Sequence, residues 1–358
     1  MTKKSWVLIL SAVLVVALPF CALAGGKTEA KSAQSVGVAL PTKNGRWIHD
    51  GDNLKAGLEK AGYQVNMQFA DDNATIQMSQ IENMINSGVS ALVICPIDPK
   101  TLINALQTAA DKKIRVISYD RLLMDTLNVD YYITFDNVNV GMLMVAAVAK
   151  QQNWDNSPGR TFNVEIFTGD SSDSNAYTAY TGITTGLKPY LDSGKVKILS
   201  GQTTFAQVSI PGWSTDTAQK RMENLISGFY STQKVNAVFT PSDNLSYGIT
   251  AALTSAGYTN QDWPLVTGQD ATPVSVKNMI SGTQFLSMFR DARNEAAGTV
   301  SMVDAVLKGT TPKINDTKRF NNNIKVVPTY ILDATVVTKD NYKALLLDSG
   351  YYKAADLQ

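Results

Sequence analysis

The chain has 358 residues, of which 44% are hydrophobic and 18% are charged, so it can bury a large core and its length favours two domains. Lys and Arg together (32) nearly balance Asp and Glu (31), and this balance gives no strong positive field for nucleic acid or an anionic membrane surface. Composition therefore excludes a disordered chain and argues against a nucleic-acid partner.

Residues 1–24 have the pattern of a secretory signal peptide. Two lysines precede the apolar run WVLILSAVLVVALPF, and small residues follow it up to Ala24. We expect cleavage after Ala24, export to the periplasm and a flexible leader over residues 25–34. Lipid anchoring at Cys21 is the alternative, which the bulky residue before that cysteine disfavours.

Several kinds of chemistry lack the residues that they need. His49 is the only histidine, and Cys95 would be the one cysteine left after cleavage, so an internal disulfide cannot form and most Cys/His zinc and His-paired nucleophile chemistry is removed. No acidic loop has calcium spacing, and the segment LPTKNGRW lacks the glycines of a phosphate-binding loop. We therefore expect no metal and no cofactor.

From residue 35 onward, short β-branched runs alternate with longer amphipathic segments, which is the pattern of βαβ units and a parallel sheet. The predicted strands are 36–40, 63–69, 91–95, 114–119 and 131–135 in a first series, and 163–167, 196–199, 236–240, 264–268 and 285–289 in a second. Helices are predicted over 53–62, 272–280 and 291–309, and another begins near Asn137.

Two series of five strands predict an α/β fold of two doubly wound parallel-sheet lobes. The predicted boundaries are 35–137 plus 291–325 for the N-terminal lobe, and 138–290 plus 326–358 for the C-terminal lobe. The chain would then pass between the lobes three times, with the later crossings near Arg290 and Val327. Three thin connections make a hinge with a ligand cleft between the lobes.

Five predicted strands end in an aspartate: Asp120, Asp136, Asp243, Asp270 and Asp291. Ligands of open parallel sheets bind at the carboxyl ends of the strands, so carboxylates from both lobes would face one cleft. The alternative for each acid is that it caps the following helix, and its position favours this alternative for Asp291. Asp120 and Arg121 could also form a local ion pair.

A mixed set of carboxylates and bases suits a neutral sugar. Carboxylates only accept hydrogen bonds and Arg and Lys only donate them, whereas each sugar hydroxyl does both. Trp47 and Trp213 could cover the apolar face of a pyranose, with Lys43 and Arg46 beside Trp47. The alternative for Trp213 is a surface residue that packs on its own loop. Carboxylates in a cleft also suggest a glycosidase, but acids among several bases should stay ionised and leave no proton donor.

The ordered motifs VGVALPT, ISYDRLL, YYITFDNVNVG, SDSNA, AVFTPSDNLSYG, LVTGQDA and KVVPTYIL resemble those of the periplasmic sugar-binding proteins of ATP-driven importers. The xylose-binding and multiple-sugar-binding receptors are the most similar branch, and the resemblance covers essentially the whole mature chain. It implies a monomeric receptor, not an enzyme, that closes on one monosaccharide of the xylose, glucose, galactose or arabinose type. The partner would be the permease of an ABC transporter, with a chemotaxis or sensor protein as a further candidate.

The resemblance also implies which residues bind the ligand. Together with Trp213 and Asp243 from the arguments above, the expected ligand-binding residues are Lys43, Arg46, Trp47, Asp120, Arg121, Asp136, Asn137, Asn175, Trp213, Asp243, Asp270 and Arg290. Many relatives have Asn before the acid of the PSDN motif, so either Ser242 or Asp243 meets the ligand. The alternatives are a secreted glycosidase, the effector domain of a transcriptional regulator, and a receptor for another polar solute such as a furanosyl signal molecule.

Overall fold

The computed structural model describes residues 34–357. The predicted signal peptide, the cysteine within it and nearly all of the predicted leader lie outside the described residues. Among the residues that are described, no helix combines the length and the hydrophobicity that a membrane span needs.

The described chain alternates strands and helices. The strands are β1 (Ser35–Leu40), β2 (Gln64–Phe69), β3 (Ala91–Ile94), β4 (Arg115–Tyr119), β5 (Tyr131–Phe135), β6 (Phe162–Ile166), β7 (Val196–Lys197), β8 (Ala237–Phe239), β9 (Leu265–Val266), β10 (Leu286–Phe289), β11 (Thr329–Leu332) and β12 (Thr335–Thr338). The helices are α1 (Arg46–Lys60), α2 (Ala74–Asn86), α3 (Ile103–Asp111), α4 (Asn137–Gln151), α5 (Ser174–Asp192), α6 (Phe205–Val208), α7 (Thr215–Phe229), α8 (Asp243–Ser255), α9 (Pro273–Ser281) and α10 (Ala292–Leu307). All ten predicted strands are present, although the last four of the second series, β7 to β10, are shorter than predicted.

The first lobe is built on a six-stranded parallel sheet in the order β11-β5-β4-β3-β1-β2. Every residue of β3 is buried, and β4 and β5 are buried from their second residue onward. Helices cover both faces of such a sheet, which is why its strands read as continuous apolar runs instead of alternating ones. Helix α10 contributes Ala296, Met302 and Val303 to the same core, so it belongs to this lobe.

The second lobe contains a parallel sheet in the order β7-β6-β8-β9. A parallel bridge from Gln269 to Met288 connects this sheet to β10, which pairs antiparallel with β12. Its core includes the fully buried Trp154 and Phe162. The two lobes therefore match the predicted α/β class with parallel sheets.

The chain passes between the two lobes at three places. The first is between β5 and α4, and the second is between β10 and α10. The third follows β11, whose residues pair with β5 from Thr329 to Leu332, so β11 lies in the first lobe and not, as the boundary at 325/326 predicted, in the second. The sequence TYILDATVV contains no strong turn signal, so the sequence did not predict the break between β11 and β12.

Helix α1 begins earlier than predicted, at Arg46 instead of residue 53. Gly45 has a φ of 56°, a left-handed conformation that glycine adopts without strain, and the helix starts directly after it. The early start places Arg46 and Trp47 in the first turn, at the carboxyl edge of the sheet. His49 lies in the same turn and packs on Tyr351 and Tyr352.

Candidate functional site

A cavity of about 140 Å³ lies between the two lobes, at the carboxyl ends of their strands. Eight of the predicted ligand residues line it: Arg46, Trp47, Asp120, Arg121, Asn175, Trp213, Asp270 and Arg290. Both lobes contribute to this set. Residues far apart in the sequence therefore meet around one small polar space.

Asp120 is the acceptor at the centre of the cavity wall. Its Oδ2 accepts hydrogen bonds from Nη1 of Arg46 at 2.9 Å and from Nη1 of Arg290 at 3.0 Å, while its Oδ1 accepts one from Nδ2 of Asn175 at 3.0 Å. Burial alone would raise the pKa of Asp120, but the charges of Arg290, Arg46 and Arg121 outweigh it and hold the pKa below the usual carboxyl value. Asp120 is therefore an anion that joins groups from both lobes.

Arg46 is held by three carboxyl groups at once. Its Nε and Nη2 donate to the two oxygens of Asp50 at 2.8 and 2.7 Å, and Nη2 also donates to Oε2 of Glu295 at 2.6 Å. Burial disfavours the charge of Arg46, but Asp50, Asp120 and Glu295 raise its pKa well above the usual value. The guanidinium lies 5.0 Å from the ring of Trp47. Arg46, Trp47 and Asp50 therefore come from one end of α1, whereas Asp120 follows β4 and Glu295 lies in α10.

Arg121 pairs across the cavity and not with its sequence neighbour. Its Nε lies 2.9 Å from Oδ2 of Asp173, and its guanidinium lies 5.5 Å from the ring of Trp47. Asp173 caps α5 by accepting from the backbone N–H of Asn175, and its Oδ2 accepts from Nε1 of Trp213 at 3.3 Å. The local ion pair between Asp120 and Arg121 that the sequence left open is thus replaced by a longer-range contact.

The second lobe supplies an acid and a base that complement each other. Asp270 has a φ of 95°, and its Oδ1 accepts from Nε and Nη2 of Arg290 at 3.1 and 2.8 Å. Arg290 follows β10 at the second crossing between the lobes and reaches Asp120 with its remaining nitrogen. A single guanidinium therefore connects the acidic strand ends of both lobes.

Trp213 faces the cavity because its loop lies close to Gly169. A Cβ atom at Gly169 would be 2.0 Å from the indole ring of Trp213, so only glycine leaves room for the ring. Trp213 itself has a φ of 54°. The alternative that Trp213 only packs on its own loop is not what the structure shows, since the ring lines the cavity.

Four of the predicted residues lie outside the cavity wall. Lys43 is exposed, with its Nζ 6.0 Å from the ring of Phe69. Asp136 caps α4 and pairs with Arg319 at 2.9 Å. Asn137 is buried and donates to Oδ1 of Asn175 at 3.0 Å, so it supports a cavity residue from behind.

Asp243 is the fourth of these residues. Its Oδ1 accepts from Gln284 at 2.9 Å and from Ser287 at 2.8 Å, and its Oδ2 accepts from the backbone and side chain of Thr272. Both oxygens are therefore occupied inside the lobe, and the neighbouring Ser242 lines the cavity instead. Asp291 caps α10, as its position in the sequence favoured.

Other polar residues line the cavity without having been predicted. They are Asp72, Asp173, Asn244 and Gln269, while Ser242 had been left open as the alternative to Asp243. Asp173, Asn244 and Gln269 lie in the motifs SDSNA, PSDN and GQDA, so each motif pointed to the right segment but a neighbouring residue was chosen. Asp72 follows β2 in the segment FADDN, and the same rule about strand ends could have found it.

The chemistry of the wall is that of polar recognition. The guanidinium groups donate, the carboxylates accept, and two indole rings offer flat apolar faces. Within residues 34–357 no group of three or more His, Cys, Asp or Glu side chains is arranged to hold a metal ion.

Comparison with known proteins identifies the family. Residues 36–311 match the model of a periplasmic binding protein domain. The multiple sugar-binding periplasmic receptor ChvE of Rhizobium radiobacter is 45% identical over 90% of this chain and 92% of its own length, and the D-xylose-binding periplasmic protein of Escherichia coli is 33% identical over 87% and 88%. An ABC transporter solute binding protein from Clostridium phytofermentans, solved with bound β-D-glucose, superposes with a TM-score of 0.87 at 44% identity and covers 91% of this chain and 100% of that one. The chain belongs to the periplasmic binding protein family.

Proposed function

We propose that this protein is an extracytoplasmic receptor that binds one monosaccharide between its lobes and delivers it to the permease of an ABC transporter. The observation that carries the proposal is the position of Asp120, which bonds to Arg46 of the first lobe and to Arg290 and Asn175 of the second lobe within a cavity that two tryptophans line. The cargo would be a sugar of the xylose, glucose, galactose or arabinose type.

The polarity of the cavity suits a sugar, and its size suits a single small ligand. It measures about 140 Å³, close to the roughly 150 Å³ of a cavity that holds one benzene molecule. Donors and acceptors both line it, so a hydroxyl that both donates and accepts can satisfy neighbouring groups without bringing a net charge. Trp47 and Trp213 would cover the apolar C–H faces of the ring.

The hinge gives the proposal its mechanism. Contacts already span the cavity, from Asn175 and Arg290 to Asp120 and from Arg121 to Asp173. A sugar that touches both lobes adds contacts only when the lobes are together, and this difference in affinity shifts the hinge towards the closed form. The permease would then distinguish the loaded, closed receptor from the open one.

Turnover of the sugar is not supported. A glycosidase needs a carboxylic acid placed to donate a proton. Burial raises the pKa of Asp173, yet its Oδ1 accepts from the backbone of Asn175, its Oδ2 accepts from Trp213, and Oδ2 also forms an ion pair with Arg121, so this acid is engaged in structural contacts. The family consists of binding proteins, which agrees with this reading of the site.

Location and partners form part of the same proposal. The related receptors are periplasmic proteins, and the first 24 residues have the composition of a signal peptide. We therefore place the mature protein in the periplasm as a monomer, with lipid anchoring at Cys21 as the less favoured alternative. A receptor for another polar solute, such as a furanosyl signal molecule, is the runner-up for the cargo.

Calorimetric titration tests the proposal. The mature protein is titrated with D-xylose, D-glucose, D-galactose and L-arabinose, and we expect at least one dissociation constant near a micromolar, which corresponds to about 8 kcal/mol. Asp120→Asn should weaken binding at least about tenfold, because hydrogen bonds to charged groups contribute roughly 1.5–3 kcal/mol each. Asp136→Asn is the matched control, since this strand-end acid lies outside the cavity.

Two results would count against the proposal. One is the absence of binding to any monosaccharide, measured also as the absence of a shift in melting temperature. The other is release of nitrophenol from nitrophenyl glycosides at a rate that depends on the protein, which would favour the glycosidase.

A further inference from the structure

Two carboxyl groups beneath the cavity contact Arg46 but do not line the cavity themselves. Asp50 lies one helical turn after Arg46 in α1, and Glu295 lies in the first turn of α10. Both side chains are completely buried. They cannot be reached by a ligand, so any effect they have on binding must pass through Arg46.

The hydrogen bonds of Arg46 account for nearly all of its donors. A guanidinium carries five N–H groups, one on Nε and two on each Nη. Asp50 takes the Nε–H and one Nη2–H, Glu295 takes the second Nη2–H, and Asp120 takes one Nη1–H. The fifth N–H is on Nη1, the nitrogen that lies closest to Asp120 and 4.0 Å from Asp270. One donor of fixed direction is thus left for the cavity.

All three partners in these four hydrogen bonds belong to the first lobe. Asp50 also accepts a hydrogen bond from the hydroxyl of Tyr119 in β4, so the acid that holds Arg46 is itself held by the sheet. Because none of these contacts crosses the cleft, the direction of Arg46 is set before the lobes close. A side chain ordered in advance loses less rotamer freedom when ligand binds.

We propose that Glu295 and Asp50 are positioning residues for sugar binding, which hold Arg46 so that a single Nη1–H faces the ligand. This inference rests on the proposed function, since it concerns the affinity of the same cavity. Helix α10 contributes no residue to the cavity wall, and it would affect recognition of the sugar through Arg46.

The burial and the hydrogen bonding of the Glu295 carboxyl group decide which substitutions test the proposal. Burial, helped by the charges of Asp120 and Asp50, raises its pKa well above the usual value against the lowering effect of Arg46. Its second oxygen, Oε1, has no hydrogen-bond partner among the described residues. An amide has nearly the shape of a carboxyl group, so Glu295→Gln keeps an oxygen acceptor for Nη2, whereas Glu295→Met fills similar volume without any acceptor.

The experiment compares these two variants with the wild type by calorimetry, using D-glucose and D-xylose. We expect Glu295→Gln to bind within about twofold of the wild type and Glu295→Met to bind at least about tenfold more weakly. Glu165 offers the matched control, because it is a buried acid of the second lobe that bonds to Tyr230 and Ser200 and is remote from the cavity wall. Glu165→Met should change the melting temperature and leave the affinity unchanged.

A second measurement follows Arg46 directly in the ligand-free protein. A guanidinium held by four hydrogen bonds should show separate, slowly exchanging nitrogen-15 signals for Nη1 and Nη2. We expect these signals to stay separate in Glu295→Gln and to merge in Glu295→Met, where Nη2 loses a partner.

Three outcomes would overturn the inference. They are an unchanged affinity in Glu295→Met, a loss of affinity in Glu295→Met while the Arg46 signals stay separate, and an equal loss of affinity in Glu165→Met. If the wild type bound no sugar at all, the proposed function would fail, and the signals of Arg46 would still show whether Glu295 positions it.

Discussion

Arg121 in the first lobe and Asp173 in the second lobe form an ion pair across the cleft, with Nε 2.9 Å from Oδ2. The side chain of Asp173 is 5% exposed and that of Arg121 is 17% exposed. Removing one partner of a buried ion pair leaves the other charge without compensation, which costs far more than the loss of a surface pair. This contact therefore favours the closed arrangement of the lobes directly, before any ligand is considered.

We predict that Asp173→Asn weakens sugar binding and increases the open fraction of the ligand-free protein. Asparagine still caps α5 by accepting from the backbone of Asn175, so the helix is preserved while the charge is lost. The substitution removes a partly buried ion pair and leaves a polar amide in its place, so affinity should fall about tenfold, which is about 1.4 kcal/mol. Calorimetry measures the affinity, and small-angle scattering measures the radius of gyration of the ligand-free protein.

The control for this prediction is Asp192→Asn. Asp192 pairs with Lys188 on the exposed face of α5, and such surface pairs contribute about 0–1 kcal/mol. It should leave both affinity and radius of gyration unchanged. An Asp173→Asn protein with the scattering curve and affinity of the wild type would show that the cross-cleft pair does not bias the hinge.

Gly169→Ala should displace the indole of Trp213 from the cavity. The added Cβ would lie 2.0 Å from the ring, so the ring or its loop must move. We expect sugar affinity to fall by about tenfold or more, because the apolar cover on one side of the sugar is lost. The fluorescence change on ligand binding should also decrease. Gly228→Ala is the control, since nothing lies within 4 Å of the added atom in α7, and equal behaviour of the two variants would refute the steric argument.

The sequence predicted the part of the site that obeys a rule of topology. Parallel strands bring their carboxyl ends to one edge, so a strand that ends in Asp120 and a motif that ends in Asp270 had to lie near each other if the two lobes face one cleft. The two tryptophans were also predicted, because a flat indole ring suits the apolar face of a sugar. These features require only the order and direction of the strands.

The remainder of the site depends on packing at long range. Glu295 contacts Arg46 across 249 positions of the chain, and no pattern around either residue marks that contact. Asp136 was predicted to face the ligand because it ends a strand, but Arg319, 183 positions away, takes its carboxylate. Local patterns show that a polar residue ends a strand, and only the packed chain decides which partner satisfies it.

Because the pKa of Asp243 is raised, we expect the stability of the protein to depend on pH. Burial and the charge of Asp270 raise the pKa of this acid to about 7, against the hydrogen bonds that it accepts from Thr272, Gln284 and Ser287. An acid whose pKa is raised by folding contributes stability that is fully present below its unfolded pKa of about 3.9 and is lost as pH rises through about 7. The folded protein should therefore lose roughly 3 kcal/mol of this contribution between pH 5 and pH 8.

Urea unfolding at pH 5 and pH 8 measures this contribution when the wild type is compared with Asp243→Asn. The amide cannot titrate, so the difference in unfolding free energy between the two proteins should change by that amount across the two pH values. A constant difference would mean that Asp243 stays ionised throughout, stabilised by its four hydrogen bonds.

The ring contacts of Tyr351 indicate how much the C-terminal segment contributes to the stability of the protein. Its ring contacts Phe289 with the centroids 4.7 Å apart and His49 with the centroids 5.3 Å apart, and the guanidinium of Arg293 lies 5.1 Å from it. Tyr351→Ala should lower the free energy of unfolding by about 3 kcal/mol, which is typical for truncating a large buried aromatic. Tyr351→Phe keeps the ring and should remain within about 1 kcal/mol of the wild type. Urea unfolding at pH 7 distinguishes the two, and equal stability of Tyr351→Ala and Tyr351→Phe would show that these ring contacts contribute little to the stability of the protein.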